Sequence, residues 1–351
     1  MNKSFNIRNT LISENSPTYI IAEMSANHNG DFDRAIKIID EIKKTGANAV
    51  KLQTYTADTI TIDCNNPEFC LTEGLWKGET LHSLYEKAYT PWDWQEKLKD
   101  YAESIGLDCF SSPFDHTALD FMVRINMPAI KIASFEINDI PLIRRAAKTG
   151  KPIIISTGIA HLEDIERAIK TCKEENNEKV ILLKCTSAYP CPYEDMNIKV
   201  ISNMRKTFDC LVGLSDHTLG SEVALGAVAL GAKVVEKHVT LKRSDGGVDS
   251  AFSMEMDEFA QMVSQIRNLE KALGRETYEL TEKQESGRSG SRSLYIVKDI
   301  KKGEIFTEEN VRSIRPGLGL HTMYYDEILG KTATDDFKKG TPLKFSMIKD
   351  M

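Results

Sequence analysis

Short apolar segments alternate with longer amphipathic segments along the chain from residue 19 onward. The short segments are rich in valine, isoleucine and leucine, and the longer ones repeat apolar residues at the spacing of an α-helix. This alternation is typical of βα units whose parallel sheet is buried between helices. The apolar segments number eight: 19–26, 49–55, 108–114, 129–135, 152–158, 179–187, 211–217 and 234–239. The sequence therefore predicts a TIM barrel, the (β/α)8 fold of the α/β class.

Helices are predicted between these segments, among them 33–45, 94–105, 139–149 and 220–230. The stretch 56–91 is too long for a plain connection and carries Trp76, Tyr85 and Tyr89. We expect it to fold over one end of the barrel as a lid.

The style of the sequence changes near the C-terminus. We assign residues 1–275 to the barrel, 276–290 to a polar linker and 291–351 to a second, small domain. Within the last segment, DIKKG at 299–303 recurs as DFKKG at 336–340, which predicts a β-rich unit with internal pseudo-symmetry. A unit of this size is near the lower limit of independent stability, so we expect it to pack on the barrel or on a partner subunit.

Composition narrows the function classes. The formal net charge is -7 and basic residues form no stripe, which argues against nucleic acid and anionic membranes as partners. The seven cysteines are scattered without a CxxC pair, as expected for reduced thiols. The N-terminus lacks the apolar core of a signal peptide, and no apolar run is long enough for a bilayer. These features predict a cytoplasmic protein.

Polar residues concentrate at the ends of the predicted strands, where TIM barrels place their active sites. Residues two apart share one face of a strand, which pairs Lys51 with Gln53 and Ser134 with Glu136. The same alternation pairs Ser215 with His217, and Glu236 with His238. We predict that these side chains point into one cavity. The alternative is that some of them only fill layers of the barrel interior.

His217 and His238 end the seventh and eighth predicted strands, which are neighbours in a closed barrel. Their imidazoles could bind one metal ion, or each could be a structural histidine. Two histidines cannot complete a structural zinc site, so a shared ion would keep open positions. Oxygen ligands nearby would suit manganese or magnesium.

Lys51 and Lys131 are two cations on predicted barrel strands. With the neighbouring serines they would suit a phosphorylated or carboxylated substrate. Alternatively, they form internal salt bridges to Glu23, Glu136 and Glu236. The sequence contains neither GxxxxGK[ST] nor GxGxxG after a strand, so a nucleotide cofactor is not supported.

Seven motifs occur in a recognisable order: AEMSANHNG (22–30), VKLQTY (50–55), SSPF (111–114), KIASFE (131–136), STG (156–158), LSDHTLG (214–220) and EKH (236–238). Together they resemble the sialic acid synthase family, a group of transferases. The C-terminal segment resembles the antifreeze-like (SAF) domain of that family, around Ser293-Leu294 and Arg315-Pro316-Gly317. The resemblance covers nearly the whole chain.

The resemblance implies condensation of phosphoenolpyruvate with an open-chain N-acylated amino sugar, with release of phosphate. It implies a divalent metal, Mn2+ in the first place and Mg2+ or Co2+ as alternatives, bound by His217 and His238. For this reaction we expect the attacking water to be positioned by the metal or by Glu136 as general base, with Lys51 and Lys131 as the other catalytic residues. The implied phosphoenolpyruvate contacts are Lys51, Ser112, Lys131, Ser134, Ser156, Ser187 and Ser215. Ser187 replaces an asparagine of the sialic acid branch, which puts its contact in doubt.

The sugar contacts implied by the resemblance are Glu23, Gln53, Tyr189, Asp249 and Arg315. Arg315 would come from the other subunit of a domain-swapped homodimer. Within the family, LWKG (75–78) and LYEKAYTPWDW (84–94) resemble the pseudaminic acid synthase branch, whose sugar is 2,4-diacetamido-2,4,6-trideoxy-altrose.

Other functions stay open at this stage. An N-acetylneuraminate or legionaminic acid synthase would act on an N-acetylmannosamine-type sugar. A metal-free aldolase would form a Schiff base on Lys131 or Lys51. A protein of another class would bind a sugar without turning it over.

Overall fold

The computed structural model describes residues 1–349. The chain forms two compact units, of which the first spans Met1–Gly274 and the second begins at Arg275. Each unit has its own hydrophobic core.

The first unit begins with an antiparallel hairpin that the sequence analysis missed, made of β1 (Ser4–Ile7) and β2 (Thr10–Ser13). Three of its apolar residues, Phe5, Ile7 and Ile12, are buried in the core of the barrel unit, whereas Leu11 is exposed. Thr10 donates a hydrogen bond to Asp108, the first residue of a barrel strand, over 3.0 Å. The hairpin therefore packs at the N-terminal end of the barrel, opposite the end where TIM barrels carry chemistry.

Eight parallel strands follow in the described chain: β3 (Tyr19–Glu23), β4 (Ala49–Thr54), β5 (Asp108–Pro113), β6 (Ile130–Ile132), β7 (Ile153–Ser156), β8 (Val180–Lys184), β9 (Leu211–Asp216) and β10 (Val234–Thr240). Each strand pairs with the next, and β10 pairs with both β9 and β3, which closes the barrel. A two-residue strand, β11 (Met254–Glu255), pairs in parallel with the last two residues of β10. The predicted TIM barrel is confirmed.

Two predicted strand segments are shorter than expected. Strand β6 ends at Ile132, and residues Ser134–Glu136 form a 3-10 turn in which the Glu136 amide donates to the Ala133 carbonyl over 3.2 Å. The assignment of Ser134 and Glu136 to one strand face was therefore wrong. Strand β8 likewise ends at Lys184, so Ser187 lies in the loop that follows. After β6 the backbone leaves the ladder for a local turn hydrogen bond, and after β8 the Ser187 amide donates to the Gly158 carbonyl over 3.4 Å. Apolar periodicity reveals neither change.

The helices of the first unit lie between and after the strands: α1 (Phe32–Thr45), α2 (Ala57–Ile60), α3 (Leu81–Ala88), α4 (Trp92–Ser104), α5 (His116–Arg124), α6 (Ile140–Lys148), α7 (Leu162–Glu174), α8 (Val200–Phe208), α9 (Glu222–Ala229) and α10 (Met256–Leu273). Helix α1 shows why they form. Asp31 caps its first turn by accepting from the Arg34 amide over 3.1 Å, and the chain leaves the helix at Gly46 with φ +83°. Its apolar face, including Ile38 and Ile42, is buried in the core.

The second unit contains α11 (Glu282–Gly287), β12 (Ser293–Ile296), β13 (Val311–Ile314) and α12 (Tyr325–Ile328). The repeated motifs pair with each other. Ile300 and Phe337 exchange both backbone hydrogen bonds over 2.9 Å, and the Asp299 and Asp336 carboxylates each contact a lysine of the opposite motif over 2.7 Å. The predicted pseudo-symmetry is thus present in the structure.

No helix within residues 1–349 combines the length and the apolar character needed to cross a bilayer.

Candidate active site

The two histidines predicted as metal ligands face each other at the C-terminal end of the barrel. His217 directly follows β9, His238 lies in β10, and their ring centroids are 5.4 Å apart. The Nδ1 atom of His217 lies 3.0 Å from the carbonyl oxygen of Thr186, to which it donates as an N–H. This assignment of the proton leaves Nε2 of His217 with a free lone pair.

The surroundings of both rings fit a metal ligand role. Ligating histidines commonly donate their other ring N–H to a carbonyl, as His217 does here. His238 is 9% exposed, and its Nδ1 atom is buried without a hydrogen-bond partner among residues 1–349. Burial holds the pKa of His238 well below its usual range, and the nearby His217 and Lys51 act in the same direction, which keeps the His238 ring neutral.

Within the described residues, no three His, Cys, Asp or Glu side chains converge as metal ligands. An ion held by His217 and His238 would take its other ligands from water or substrate, which is the arrangement of an open catalytic site. Metal binding by this pair stays a prediction.

Lys51 and Lys131 meet acidic partners in the barrel interior. Lys51 forms an ion pair with Glu23, lies 3.8 Å from Glu236 Oε1 and donates to Ser112 Oγ over 3.3 Å. Lys131 donates to Ser156 Oγ over 2.7 Å and lies 3.6 Å from Glu236 Oε1. The internal salt bridges considered as an alternative therefore exist for Glu23 and Glu236.

Glu236 is shared by both lysines. Burial by itself would raise the pKa of Glu236, but the charges of Lys131 and Lys51 outweigh burial and lower this pKa. The Ser215 hydroxyl also donates to Glu236 Oε1 over 3.2 Å. Burial likewise would lower the pKa of Lys51, yet Glu23 and Glu236 raise it. A carboxylate held this firmly by two ammonium groups keeps both cations in place for an anionic ligand.

The pKa of Glu23 is raised and the pKa of Lys131 is lowered in the same cluster. Burial raises the pKa of Glu23 to about 7. The nearby Glu236 carboxylate acts in the same direction, and the Lys51 charge opposes both. Burial lowers the pKa of Lys131. The Lys51 charge lowers it further, and the Glu236 carboxylate acts in the opposite direction. Perturbed groups clustered in this way are typical of functional sites.

Gly158 holds two predicted phosphoenolpyruvate contacts close together. Its amide donates to Ser134 Oγ over 3.0 Å, and a Cβ atom at this position would collide with the hydroxyls of Ser134 and Ser187. The glycine is needed for this close approach. The Ser187 hydroxyl is buried and has no hydrogen-bond partner within residues 1–349, so it could serve a ligand.

Glu136 is half-buried at the end of the 3-10 turn after β6. Burial raises the pKa of its carboxyl to about 7, although Lys131 acts in the opposite direction. Its Oε2 atom is buried without a hydrogen-bond partner in the described part of the chain, and no ion pair there includes this residue. A carboxylate that titrates near neutrality and lacks a partner is suited to general base catalysis.

Three aromatic side chains, Tyr189, Phe252 and Trp76, pack in a cluster beside the histidines. The Tyr189 ring is 4.3 Å from His217 and 5.1 Å from Phe252, centroid to centroid, and Phe252 is 5.0 Å from His238. Trp76 lies 5.9 Å from Tyr189, and its Nε1–H donates to the Val248 carbonyl over 3.0 Å. Trp76 belongs to the segment 56–91, which thus covers this end of the barrel as expected.

The remaining predicted sugar contacts are distributed over three places. Gln53 donates to Glu23 Oε1 over 3.2 Å, next to the lysines. Asp249 accepts through Oδ2 from the Ser25 hydroxyl and from the Ala26 amide, the latter over 3.4 Å. Arg315 lies in the second unit directly after β13, and its side chain is exposed. Its contribution to a sugar site stays a prediction.

Sequence reasoning missed two members of this site. Cys185 is buried with Sγ 3.8 Å from Nδ1 of His217, and Phe252 packs against both Tyr189 and His238. Counting by twos back from Ser187 could have indicated Cys185. Phe252 lies in a loop after β10, where no periodic signal exists.

His28, also near a predicted strand end, is a structural histidine. The ring is fully buried, accepts from the Gly30 amide over 3.1 Å and contacts Thr90 Oγ1 over 3.1 Å. Burial lowers its pKa to about 4, and Arg34 adds to the effect.

We expect His28 to make the barrel sensitive to acid. Since its pKa is lower in the folded than in the unfolded state, the unfolded state binds the extra proton, and stability falls as pH drops from 6.5 to about 4. The loss is up to about 3 kcal/mol. Urea unfolding over this pH range should show a smaller fall for His28→Gln than for the unchanged protein. Equal pH slopes for the two proteins would contradict the assignment.

A closed TIM barrel with buried lysines, carboxylates and two facing histidines at the C-terminal ends of its strands defines the class of this protein. The chain belongs to the NeuB family, which residues 38–278 match, and residues 291–349 match the SAF domain. The family resemblance of the motifs is thereby confirmed.

Three similar proteins span most of the chain. The pseudaminic acid synthase of Campylobacter jejuni (serotype O:23/36, strain 81-176) is 48% identical over 93% of this chain and 96% of its own. That of Helicobacter pylori is 45% identical over the same shares. The crystal structure of N-acetylneuraminic acid synthetase from Leptospira borgpetersenii, in complex with citrate, has a TM-score of 0.73 and 32% identity, covering 82% of this chain and 95% of that one.

Proposed function

We propose that this chain is a pseudaminic acid synthase, a transferase that forms a C–C bond from phosphoenolpyruvate. Its second substrate would be the open-chain aldehyde of 2,4-diacetamido-2,4,6-trideoxy-β-L-altropyranose, and its products pseudaminic acid and phosphate. One observation carries the chemistry: two buried lysines share Glu236 in the same barrel interior that presents His217 and His238. The 48% identity to a pseudaminic acid synthase supports the choice of sugar.

The residues fit a divalent metal. His217 Nδ1 donates to the Thr186 carbonyl, and His238 Nδ1 is buried with no hydrogen-bond partner in the described part of the chain. His217 and His238 would hold the ion, and we propose Mn2+, with Mg2+ or Co2+ able to replace it. When bound, the metal would act as a Lewis acid on the sugar aldehyde.

Lys51 and Lys131 would bind the anionic groups of phosphoenolpyruvate. The hydroxyls of five serines would add hydrogen bonds: Ser112, Ser134, Ser156, Ser187 and Ser215. Glu23, Gln53, Tyr189 and Asp249 would contact the sugar, with Arg315 from a partner subunit. Glu236 lies 3.8 and 3.6 Å from the two ammonium groups and would keep orienting them while phosphoenolpyruvate is bound.

The bonding changes balance with water as the third reactant. C3 of phosphoenolpyruvate attacks the aldehyde carbon, and positive charge develops at C2. Of the two protons of the water, one ends on the former aldehyde oxygen, which becomes a hydroxyl, and the other leaves with the phosphate. Glu136 removes a proton from the water that adds to C2. The resulting tetrahedral carbon expels phosphate against the charges of Lys51 and Lys131 and becomes the keto group of the product.

Schiff-base chemistry is the second candidate, because burial lowers the pKa of Lys131 and so favours the neutral amine. A phosphate-release assay with phosphoenolpyruvate and several acetamido sugars separates the possibilities. We expect activity with the altrose derivative, loss of activity with a chelator, recovery with Mn2+, and no covalent trapping by borohydride. Chelator-resistant activity with borohydride trapping would favour the aldolase.

The choice of sugar is tested in the same assay. We expect kcat/KM for the altrose derivative to exceed that for N-acetylmannosamine by at least about a hundredfold, because a site built around polar groups of one sugar rejects a sugar that leaves them unpaired. Preference for N-acetylmannosamine would instead identify an N-acetylneuraminate synthase.

The assembly and location are part of the same proposal. We propose a cytoplasmic, domain-swapped homodimer in which each SAF domain supplies Arg315 to the other barrel. The seven cysteines are all free thiols, which suits a reducing compartment. Mixed dimers of an Arg315→Ala chain and a Lys131→Met chain would retain one intact site of two, so they should have about half the activity of the unchanged dimer.

A further inference from the structure

A buried ion pair outside the candidate active site lies on the outer face of the strands that carry the histidines. Lys237 in β10 and Asp216 in β9 are direct cross-strand partners. Lys237 Nζ lies 2.7 Å from Asp216 Oδ2, and the two side chains are 1% and 0% exposed. Because side chains alternate along a strand, this pair points away from the interior that contains Glu236 and His238.

Hydrogen bonds from this pair continue to both sides of His217. Lys237 Nζ also donates to the Thr218 carbonyl over 2.6 Å. Asp216 Oδ1 accepts from the amide and the hydroxyl of Thr218 over 2.9 and 2.8 Å. The residue before His217 and the residue after it are thus tied to Lys237, whose next neighbour in the chain is His238.

Stability alone is a weak reason for such a pair. Desolvation of two charges offsets most of their attraction, and apolar replacements of similar volume are often neutral or stabilising. A rigid pair of charges can, however, fix the register and spacing of the strands that contain it. Mutation of groups that orient metal ligands without binding the metal themselves typically lowers metal affinity by ten- to a hundredfold.

We infer that Lys237 and Asp216 are positioning residues that set the separation and orientation of His217 and His238. They touch neither substrate nor metal and act through the backbone on both sides of the histidines. The inference rests on the metal site of the proposed function and extends it to residues outside the cavity.

The test is Mn2+ binding to the apoprotein, measured by electron paramagnetic resonance of free Mn2+. Lys237→Met alone leaves Asp216 buried and unpaired, which could prevent folding. The informative variant is therefore the double substitution Lys237→Met with Asp216→Asn, which removes both charges and keeps an acceptor for Thr218. We expect its Kd for Mn2+ to rise by about tenfold or more.

Tyr19→Phe is the matched control. Tyr19 donates a buried hydrogen bond to Asp108 over 2.8 Å at the opposite end of the barrel, so its loss perturbs the fold without touching β9 or the end of β10. We expect a lower Tm but a Kd for Mn2+ within about twofold of the unchanged protein.

Two results would overturn the inference: a folded double variant with an unchanged Kd, or an equal weakening in Tyr19→Phe. His238→Ala identifies a failure of the underlying function separately. If this substitution does not weaken Mn2+ binding by the otherwise unchanged protein, the ion is not at the histidines, and the positioning role falls together with the proposed metal site.

Discussion

Replacing His238 with alanine is expected to lower kcat for phosphate release by about a thousandfold or more. The metal would be held by only two protein ligands, so removal of one leaves a single imidazole and an ion that dissociates readily. Loss of several kcal/mol of Lewis-acid stabilisation corresponds to a rate decrease of this size. The structural basis is the buried Nδ1 of His238, which has no hydrogen-bond partner among residues 1–349 and so needs another explanation.

His161→Ala is a suitable control because this histidine is exposed at the start of α7. Its kcat should stay within about twofold of the unchanged enzyme, with the fold of both variants checked by circular dichroism. A metal-dependent kcat in His238→Ala within tenfold of the original would show that this ring is not an essential ligand.

Replacing Glu136 with glutamine is expected to lower kcat by about a hundred- to ten-thousandfold, the usual contribution of a general base. Glutamine keeps the size of the side chain but cannot accept the proton of the attacking water. Because Lys51 and Lys131 make the contacts to phosphoenolpyruvate, the KM for this substrate should change by no more than about threefold. Glu163→Gln, an exposed substitution in α7, is the matched control.

The pH profile of the variant distinguishes Glu136 from Glu23, the other carboxyl of the site whose pKa is raised to about 7. A general base acts as the carboxylate, so kcat of the unchanged enzyme should fall as pH decreases through about 7. If Glu136 is the base, the residual activity of Glu136→Gln lacks this acidic limb. Persistence of the limb together with near-normal turnover would remove Glu136 from the mechanism and point to Glu23.

The barrel was predictable because its signal is local and repeated. Each strand is buried on both faces and therefore reads as a short apolar run. Several helices begin or end at recognisable capping residues, as α1 does at Asp31 and Gly46. The N-terminal hairpin was missed because four-residue strands with half-exposed faces give too few apolar positions to count. The turn at Ser134–Glu136 was missed because its hydrogen bond replaces a ladder bond without changing the apolar pattern.

The candidate active site was likewise predictable only in part. Polar residues at the ends of successive strands were identifiable, because closure of a barrel brings those ends together whatever the details of packing. The sequence could not say which carboxylate meets which lysine. The structure pairs Glu23 and Glu236 with the lysines and leaves Glu136 apart from them, which gives Glu136 a different chemical use.

The sequence by itself determined the eight-stranded barrel, the β-rich second unit, the family and the set of candidate residues, since these depend on periodicity and on the order of motifs along the chain. Only the tertiary structure decided distances and burial. The sharing of Glu236, the pKa values near 7 and the Lys237–Asp216 pair behind the histidines all depend on side chains distant in sequence. Electrostatic energy varies with separation and desolvation, and the chain sets both only when it folds.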